Sequence, residues 1–351
     1  MNPSFRALST QLAELAREYD AKPAWPEKSI RAIADAGCWT WVVPLRWGGA
    51  GLGNAELLEA YAAIASGCLN TALILTQRDG ALDLILRGEN DELKERLVPA
   101  HVRGERMTSI GISQLTTSKG RGKPKLLATP DGDDFLLDGE MPWVTGAIKC
   151  DEVVTGAVLS DGRQIVASVS CDAPGVTVEP PMRFMALDAS CTSRIRCDRV
   201  RVPPSDLVRR PSAAGLSMRT PVKPLVVSSV GLGFAEGIHE RLIERTDGAP
   251  AELGAVAARL GRSLDELRND LLAAASRLDD PDYELPAARI RIRVNALLSK
   301  LAIAFLTVSK GTGYARSHDA ERLLREAMFF HVWSAPPDVQ AGTLANLVGE
   351  G

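Results

Sequence analysis

Six cysteines, four histidines and two glycine-rich runs are the residues of this 351-residue chain that could carry metal, redox or phosphate chemistry. Cys38, Cys68, Cys150, Cys171, Cys191 and Cys197 stand singly, with no Cys-x-x-Cys pair. A chain of this size needs no disulfide framework, so reduced thiols in a cytoplasm are the expected state. His101, His239, His318 and His331 are equally scattered and form no His-Glu-x-x-His pair, so no metal site is expected. Gly48-Gly49-Ala50-Gly51-Leu52-Gly53 has the look of a phosphate loop but follows no strand of a parallel unit, and Val230-Gly231-Leu232-Gly233 lies inside a helical zone. Both read as turn and helix-packing glycines.

Composition narrows the classes further. Lys plus Arg total 41 against 44 for Asp plus Glu, a formal charge of −3, which argues against a generic nucleic-acid-binding surface. Apolar residues at 45% and charged residues at 24% suit a folded chain, and the length suits about two or three domains. The start, Met-Asn-Pro-Ser-Phe-Arg, lacks the apolar core of a signal peptide. No apolar run approaches the roughly 20 residues a bilayer span requires. A cytoplasmic location without a membrane span is expected.

The elements that must position any site fall into three zones. In residues 1–107, Leu8, Leu12, Leu15 and Ala16, and then Leu57, Leu58, Tyr61 and Ile64, recur at helical spacing, separated by the glycine-rich break at 43–53. In residues 108–208 the period changes: Phe135-Leu136-Leu137, Glu152-Val153-Val154, 164–169 and Arg194-Ile195-Arg196 are short and β-prone. Turns are expected at Asp131-Gly132, Asp138-Gly139 and Asp161-Gly162, and Val202-Pro203-Pro204-Ser205 reads as the closing linker. Residues 209–351 return to helical periodicity, clearest over 264–278, 287–308 and 318–330.

This order, with several local motifs, resembles the acyl-CoA dehydrogenase superfamily of flavoproteins. Val43-Pro44 with Trp47-Gly48-Gly49-Ala50-Gly51-Leu52 is similar to that family's Val-Pro-x-x-aromatic-Gly-Gly-x-Gly turn. Leu93–Pro99 with Gly104-Glu105 is similar to its lead into the β domain, and 138–147 to its Trp-Ile-Thr-Asn-Ala strand. Gly311-Thr312-Gly313-Tyr314 and Glu321–Ala327 match its Gly-Gly-x-Gly-aromatic and Arg-Asp-Ala elements. The resemblance implies an α+β fold with an N-terminal α-helical domain, a central small β-barrel domain and a C-terminal four-helix bundle. It also implies FAD as cofactor and a homodimer or homotetramer.

Carried over position by position, Trp143 would flank the flavin and Thr145 would hydrogen-bond near its hydride-accepting nitrogen; a flat aromatic plus a hydroxyl suits an isoalloxazine. Ser113 falls where a hydroxyl meets the ring, beside Ile112, and Gly311 belongs to the further cofactor contacts. Lys119 stands where the family has a serine near the pyrophosphate. It could serve as a point charge for phosphate, and 119–123 also reads as a solvated basic turn.

Two departures bear on chemistry. Removing an α-proton as a hydride leaves the β-carbon needs a positioned carboxylate, yet Ser334 occupies the family's glutamate position, with Asp338 and His331 the nearest titratable substitutes. The family's alternative base helix aligns with 221–225, which also lacks a carboxylate. The Arg-x-x-Phe-Gly element that reaches a neighbouring subunit's FAD is shortened to Glu244–Pro250, and Thr307 replaces an expected glutamine. Three readings stand. The first is an FAD-dependent oxidoreductase on an acyl substrate, CoA thioester or related, passing electrons to a partner or to oxygen. The second is a flavin-dependent monooxygenase or oxidase on the same fold. The third is a non-catalytic member acting as a binding or subunit partner.

Overall fold

A computed structural model describes residues 3–116, 124–217 and 220–349. Five helices come first: α1 (Pro3–Ala21), α2 (Glu27–Asp35), α3 (Asn54–Gly67), α4 (Leu69–Arg87) and α5 (Asp91–Val102). The strands follow as β1 (Thr108–Gly111), β2 (Leu126–Asp131), β3 (Asp134–Val144), β4 (Glu152–Val158), β5 (Gln164–Ser170), β6 (Val176–Val178), β7 (Ser193–Val202) and β8 (Leu207–Ser212). The chain then returns to helices with α6 (Lys223–Thr246), α7 (Ala251–Ala275), α8 (Ala287–Ser309), α9 (Asp319–Met328) and α10 (Pro337–Leu347). Three long helices, α6 to α8, make the C-terminal bundle, and the shorter α9 and α10 both pack against α8.

Local chemistry explains the boundaries. Asn90 caps α5, its Oδ1 accepting from the Leu93 N–H at 3.1 Å, while its Nδ2 donates to the Leu207 carbonyl and so ties the helix to the sheet. In the break before α3, an added Cβ at Gly49 would lie 1.9 Å from the Val43 carbonyl oxygen, so this close turn admits only glycine.

The strands form one sheet in the order β6-β7-β3-β2-β4-β5-β8, with β1 parallel to β4. Leu126, Leu137, Val153, Ile165, Ile195 and Leu207 meet in a single core although they come from strands across that order, so the sheet wraps on itself. Its other face, with Ile110, Val154, Val166 and Val208, packs on Leu82, Ile85 and Leu93 of α4 and α5. Two of the expected turns occur, β2–β3 at Gly132 (φ +65°) and β4–β5 at Gly162 (φ +86°). The third does not. Asp138-Gly139 sits within β3 as a bulge, with Gly139 at φ +128° and the register to β7 shifting there. The proline-rich 202–205 stretch makes a corner between β7 and β8, and β8 carries the sheet to Ser212 by pairing with β5.

Helices from both ends of the chain share one core, with Leu12, Leu58 and Leu75 in the same cluster as Phe234, Leu267, Leu298 and Leu323. The tightest approach is between α3 and α6, where an added Cβ at Gly233 would fall 2.0 Å from the Ala62 carbonyl oxygen and one at Gly237 2.2 Å from that of Ser66. Of the glycines singled out in sequence, Gly233 is thus a backbone-contact position, while Gly231 makes room for the side chains of Val294, Phe330 and Leu298. The stretch Ala287–Tyr314 is, by length and composition, apolar enough to cross a membrane, which the sequence reading did not anticipate; half of its apolar window is buried inside the protein.

Candidate functional site

The C-terminal end of β3 builds the centre of the site. Pro142 lacks an N–H, and the pairing of β3 with β7 shifts between Met141 and Val144, so Trp143 steps out of the ladder. Its indole is 48% exposed while Val144 beside it is fully buried. Thr145 is buried and accepts a long 3.4 Å contact from the Thr192 hydroxyl, which itself lies 2.8 Å from Ser190 Oγ. Its own proton goes to no described residue.

Ser113 opens a 3-10 turn, Ser113–Leu115, that follows β1 and packs against β3. Gln114 pins this turn, its Nε2 donating to the carbonyls of Gly111 and Gly156, both at 2.9 Å. An added Cβ at Gly111 would press on Met141 and Val144, so β1 runs directly against the part of β3 that carries Trp143. Ser113 Oγ is buried and has no hydrogen-bond partner among the described residues. Ile112 is buried beside it in the sheet–helix core. Lys119 lies outside the described residues.

A second wall comes from the loop at 182–192. Phe184 packs on Trp143 with ring centroids 6.1 Å apart. The loop is braced by Phe184 N–H to Asp188 Oδ1 (2.6 Å), Arg183 to Asp188 (3.0 Å) and Gly146 N–H to the Ser190 carbonyl (2.8 Å). Arg325 on α9 donates to the Met185 carbonyl at 2.9 Å and also pairs with Asp20 and Glu321, so one guanidinium joins α1, α9 and this loop. Between the loop, the α1–α2 corner, the start of α4 and α9 lies a cavity of about 450 Å³.

The candidate bases lie elsewhere. Helix α9 ends at Met328, so His331 falls in a 3-10 turn rather than one helical turn before Ser334. Its Nε2 is 2.9 Å from Ser299 Oγ, and burial together with the Arg291 charge holds its pKa below the ordinary imidazole value. Ser334 is exposed at φ +46°, and Asp338 is exposed in the first turn of α10. Arg291 fixes this corner by donating to the carbonyls of Phe330 (2.7 Å) and Trp333 (3.0 Å). None of His331, Ser334 and Asp338 lines the cavity. Gly311 is exposed in a 3-10 turn after α8, with nothing within 4 Å of an added Cβ, and Thr307 bonds back to the Ile303 carbonyl. The structure therefore gathers Ile112, Ser113, Trp143 and Thr145 around one part of the sheet, and leaves the C-terminal residues in a separate corner.

Two charge clusters, one buried and one partly exposed, lie in the helices around these walls, and neither stands out in the sequence. In α4, Arg78 and Asp79 pair at 2.8 Å with side chains 1% and 2% exposed; Asp79 also accepts from Tyr61 at 2.8 Å, and Arg78 lies over Trp39. In α9, Asp319 accepts from Arg17 at 2.6 Å and from Arg322 at 3.2 Å, with Arg241 at 3.5 Å. Burial pushes the Asp319 carboxyl up, but the Arg17 hydrogen bond and the charges of Arg322, Arg17 and Arg241 outweigh it and hold it well below the usual range. A depressed native pKa contributes stability above the unfolded value of about 4 and loses it as pH falls further. Urea midpoints of the natural protein and Asp319→Asn should thus differ at pH 7 and converge as pH falls below about 4. A gap that stays constant with pH would refute that assignment.

The fold is that of the acyl-CoA dehydrogenases. A structure of glutaryl-coenzyme A dehydrogenase with glutaryl-CoA superposes with TM-score 0.85 at 18% identity, over 100% of this chain and 96% of that one. FMN-bound TdsC from Paenibacillus sp. A11-2 superposes with TM-score 0.84 at 19% identity, over 99% and 97%. In sequence, residues 5–105 match the family model "Acyl-CoA dehydrogenase, N-terminal domain". The Bacillus subtilis protein "Probable acyl-CoA dehydrogenase YngJ" is 22% identical over 355 residues, 96% of this chain and 93% of the relative. The chain is thus similar over nearly its whole length to acyl-CoA dehydrogenases, and residues 5–105 carry the match to that family's N-terminal domain.

Proposed function

We propose that the chain is an FAD-dependent oxidoreductase acting on an acyl substrate, in the first instance a CoA thioester, with the flavin ring against Trp143 and near Ser113 and Thr145. The observation that carries this reading is the Ser113 hydroxyl, buried without a partner among the described residues on the turn that abuts the strand of a half-exposed tryptophan. Burying a hydroxyl without a hydrogen bond costs about 1–3 kcal/mol, and a polar ring edge at that place would remove the penalty. Bound flavin would supply a two-electron acceptor for hydride. Trp143 would stack on the ring, while Ser113 and Thr145 would donate to its acceptor atoms. Ile112, Lys119 and Gly311 remain the further contacts the family pattern suggests. The similarity to a glutaryl-CoA-bound dehydrogenase supports the acyl substrate. We further read the chain as a cytoplasmic homo-oligomer. Val332, Leu344, Leu347 and Val348, 61–73% exposed near the C-terminus, support association.

Reconstitution with excess FAD followed by dialysis tests the cofactor. Flavin absorbance should persist, and Trp143→Ala should weaken retention roughly tenfold through loss of stacking and burial. Apoprotein that retains no flavin at any FAD concentration would leave the non-catalytic reading.

A second reading, oxygen-dependent monooxygenation, is favoured by one feature: the exposed Ser334 offers no carboxylate for proton abstraction. Similarity to the dibenzothiophene monooxygenase TdsC, with TM-score 0.82 at 18% identity over 99% and 97% of the chains, supports it. Oxygen consumption by the reduced, flavin-loaded protein, coupled to product hydroxylation rather than peroxide release, would separate the two.

A further inference from the structure

The lining of the 450 Å³ cavity includes a side chain whose hydrogen-bonding groups no described residue uses. Asn70, in the first turn of α4, is 7% exposed, and neither its Nδ2 nor its Oδ1 has a hydrogen-bond partner among the described residues. An amide left with a buried donor and a buried acceptor both unmet is rare in a native protein and marks a place where something else supplies the partners. Its terminal torsion is broad and roughly two-fold, so the amide turns toward an arriving group at little cost.

The charges in the cavity wall decide which group that is, because each is already neutralised. Arg183 pairs with Asp188 at 3.0 Å, Arg325 with Asp20 at 2.7 Å, and Arg316 with Glu321 at 3.5 Å. Glu326 accepts from Arg322 at 3.0 Å, and the Cys68 thiol accepts from Thr71. A carboxylate or ammonium entering the cavity would meet no unmatched opposite charge and would lose its hydration. A neutral group that both donates and accepts would meet Asn70. Pro23, Pro26, Ala186 and Leu187 supply apolar walls for the remainder of such a ligand.

We propose that this cavity binds an uncharged primary carboxamide, read by Asn70, and that the natural substrate presents such a group there. That the amide belongs to the substrate rests on the flavin reading above, through the contact of cavity-lining Phe184 with Trp143; that the cavity binds an amide does not.

The test is fluorine NMR titration of the full chain with 4-fluorobenzamide, 4-fluorobenzoate and 4-fluorotoluene, run with and without FAD. The amide should bind at least about tenfold more tightly than either comparison probe, because only it satisfies both atoms of Asn70. Asn70→Leu should abolish that preference while still binding 4-fluorotoluene. If Asn70→Leu does not fold, Ala186→Phe fills the cavity from the opposite wall and should expel all the probes. Equal affinity for the amide and 4-fluorotoluene, a preference for the benzoate, or an amide preference that survives either variant would overturn the proposal. Flavin absorbance is read in the same samples. Amide binding without retained FAD sinks only the flavin reading, and FAD retention without amide preference sinks only this one.

Discussion

Flavin-loaded protein mixed anaerobically with straight- and branched-chain acyl-CoAs is expected to keep its flavin oxidised over times in which an acyl-CoA dehydrogenase would bleach. General-base catalysis contributes about 10²–10⁴-fold, and on the proposed alignment the position that should supply it is the hydroxyl of Ser334. The two nearby titratable groups do not compensate: His331 is engaged with Ser299 and Asp338 faces solvent. Rapid bleaching by any acyl-CoA would overturn this prediction and make Asp338 and His331 the first residues to replace. Ser334→Glu is the complementary arm, and gained flavin reduction would show that the pocket still admits a thioester. The left-handed backbone at Ser334, φ +46°, limits where that carboxylate can point.

The second large effect concerns stability. Asp79→Ala should cost about 3–5 kcal/mol, because it strands the Arg78 guanidinium in a buried site without its counter-charge. Burial pushes the Asp79 carboxyl up to about 6, against the opposing pull of Arg78, the Tyr61 hydrogen bond and Lys223. The sign is opposite to that at Asp319: the native state holds this proton more tightly than the unfolded chain does, so the group's contribution falls as pH rises from about 4 to 6 and stays low above. Urea denaturation of Asp79→Ala beside the double variant Arg78→Met/Asp79→Leu is the measurement. Removing both charges should recover much of the loss. A single variant within about 1 kcal/mol of the natural protein would mean that the pair is solvated in a way its burial denies.

The helix–sheet–helix order could be read from the sequence because hydrophobic period is a local property: Leu57 to Ile64 repeat as a helix, and 164–169 cannot. The Asp138-Gly139 bulge was misread for a physical reason. A turn and a bulge make the same demand on glycine, positive φ, and only the partner strand distinguishes them. Ser113, Trp143 and Thr145 stood out because they fall within two short motifs around adjoining strands. The cavity did not, since Asn70, Phe184 and Arg325 come from segments over a hundred residues apart and none carries a motif of its own chemistry. Arg78-Asp79 left a readable trace, two adjacent residues that carry the only charges of the 69–82 stretch. That pattern marks a buried ion pair only when the whole helix is known to be enclosed.

The glycine-mediated contact of α3 with α6 also sets an order in time. The face of α3 that includes Leu58, Ala62 and Ser66 is covered by a helix that is complete only at Thr246. At about 5–20 residues per second, a ribosome needs roughly ten to forty seconds to travel from Gly67 to that point. Throughout that interval the nascent chain displays an uncovered apolar surface while the sheet is being synthesised between the two halves of its own lid. The first helices therefore wait, within reach of holding chaperones, for a partner helix that the ribosome delivers only after the whole sheet.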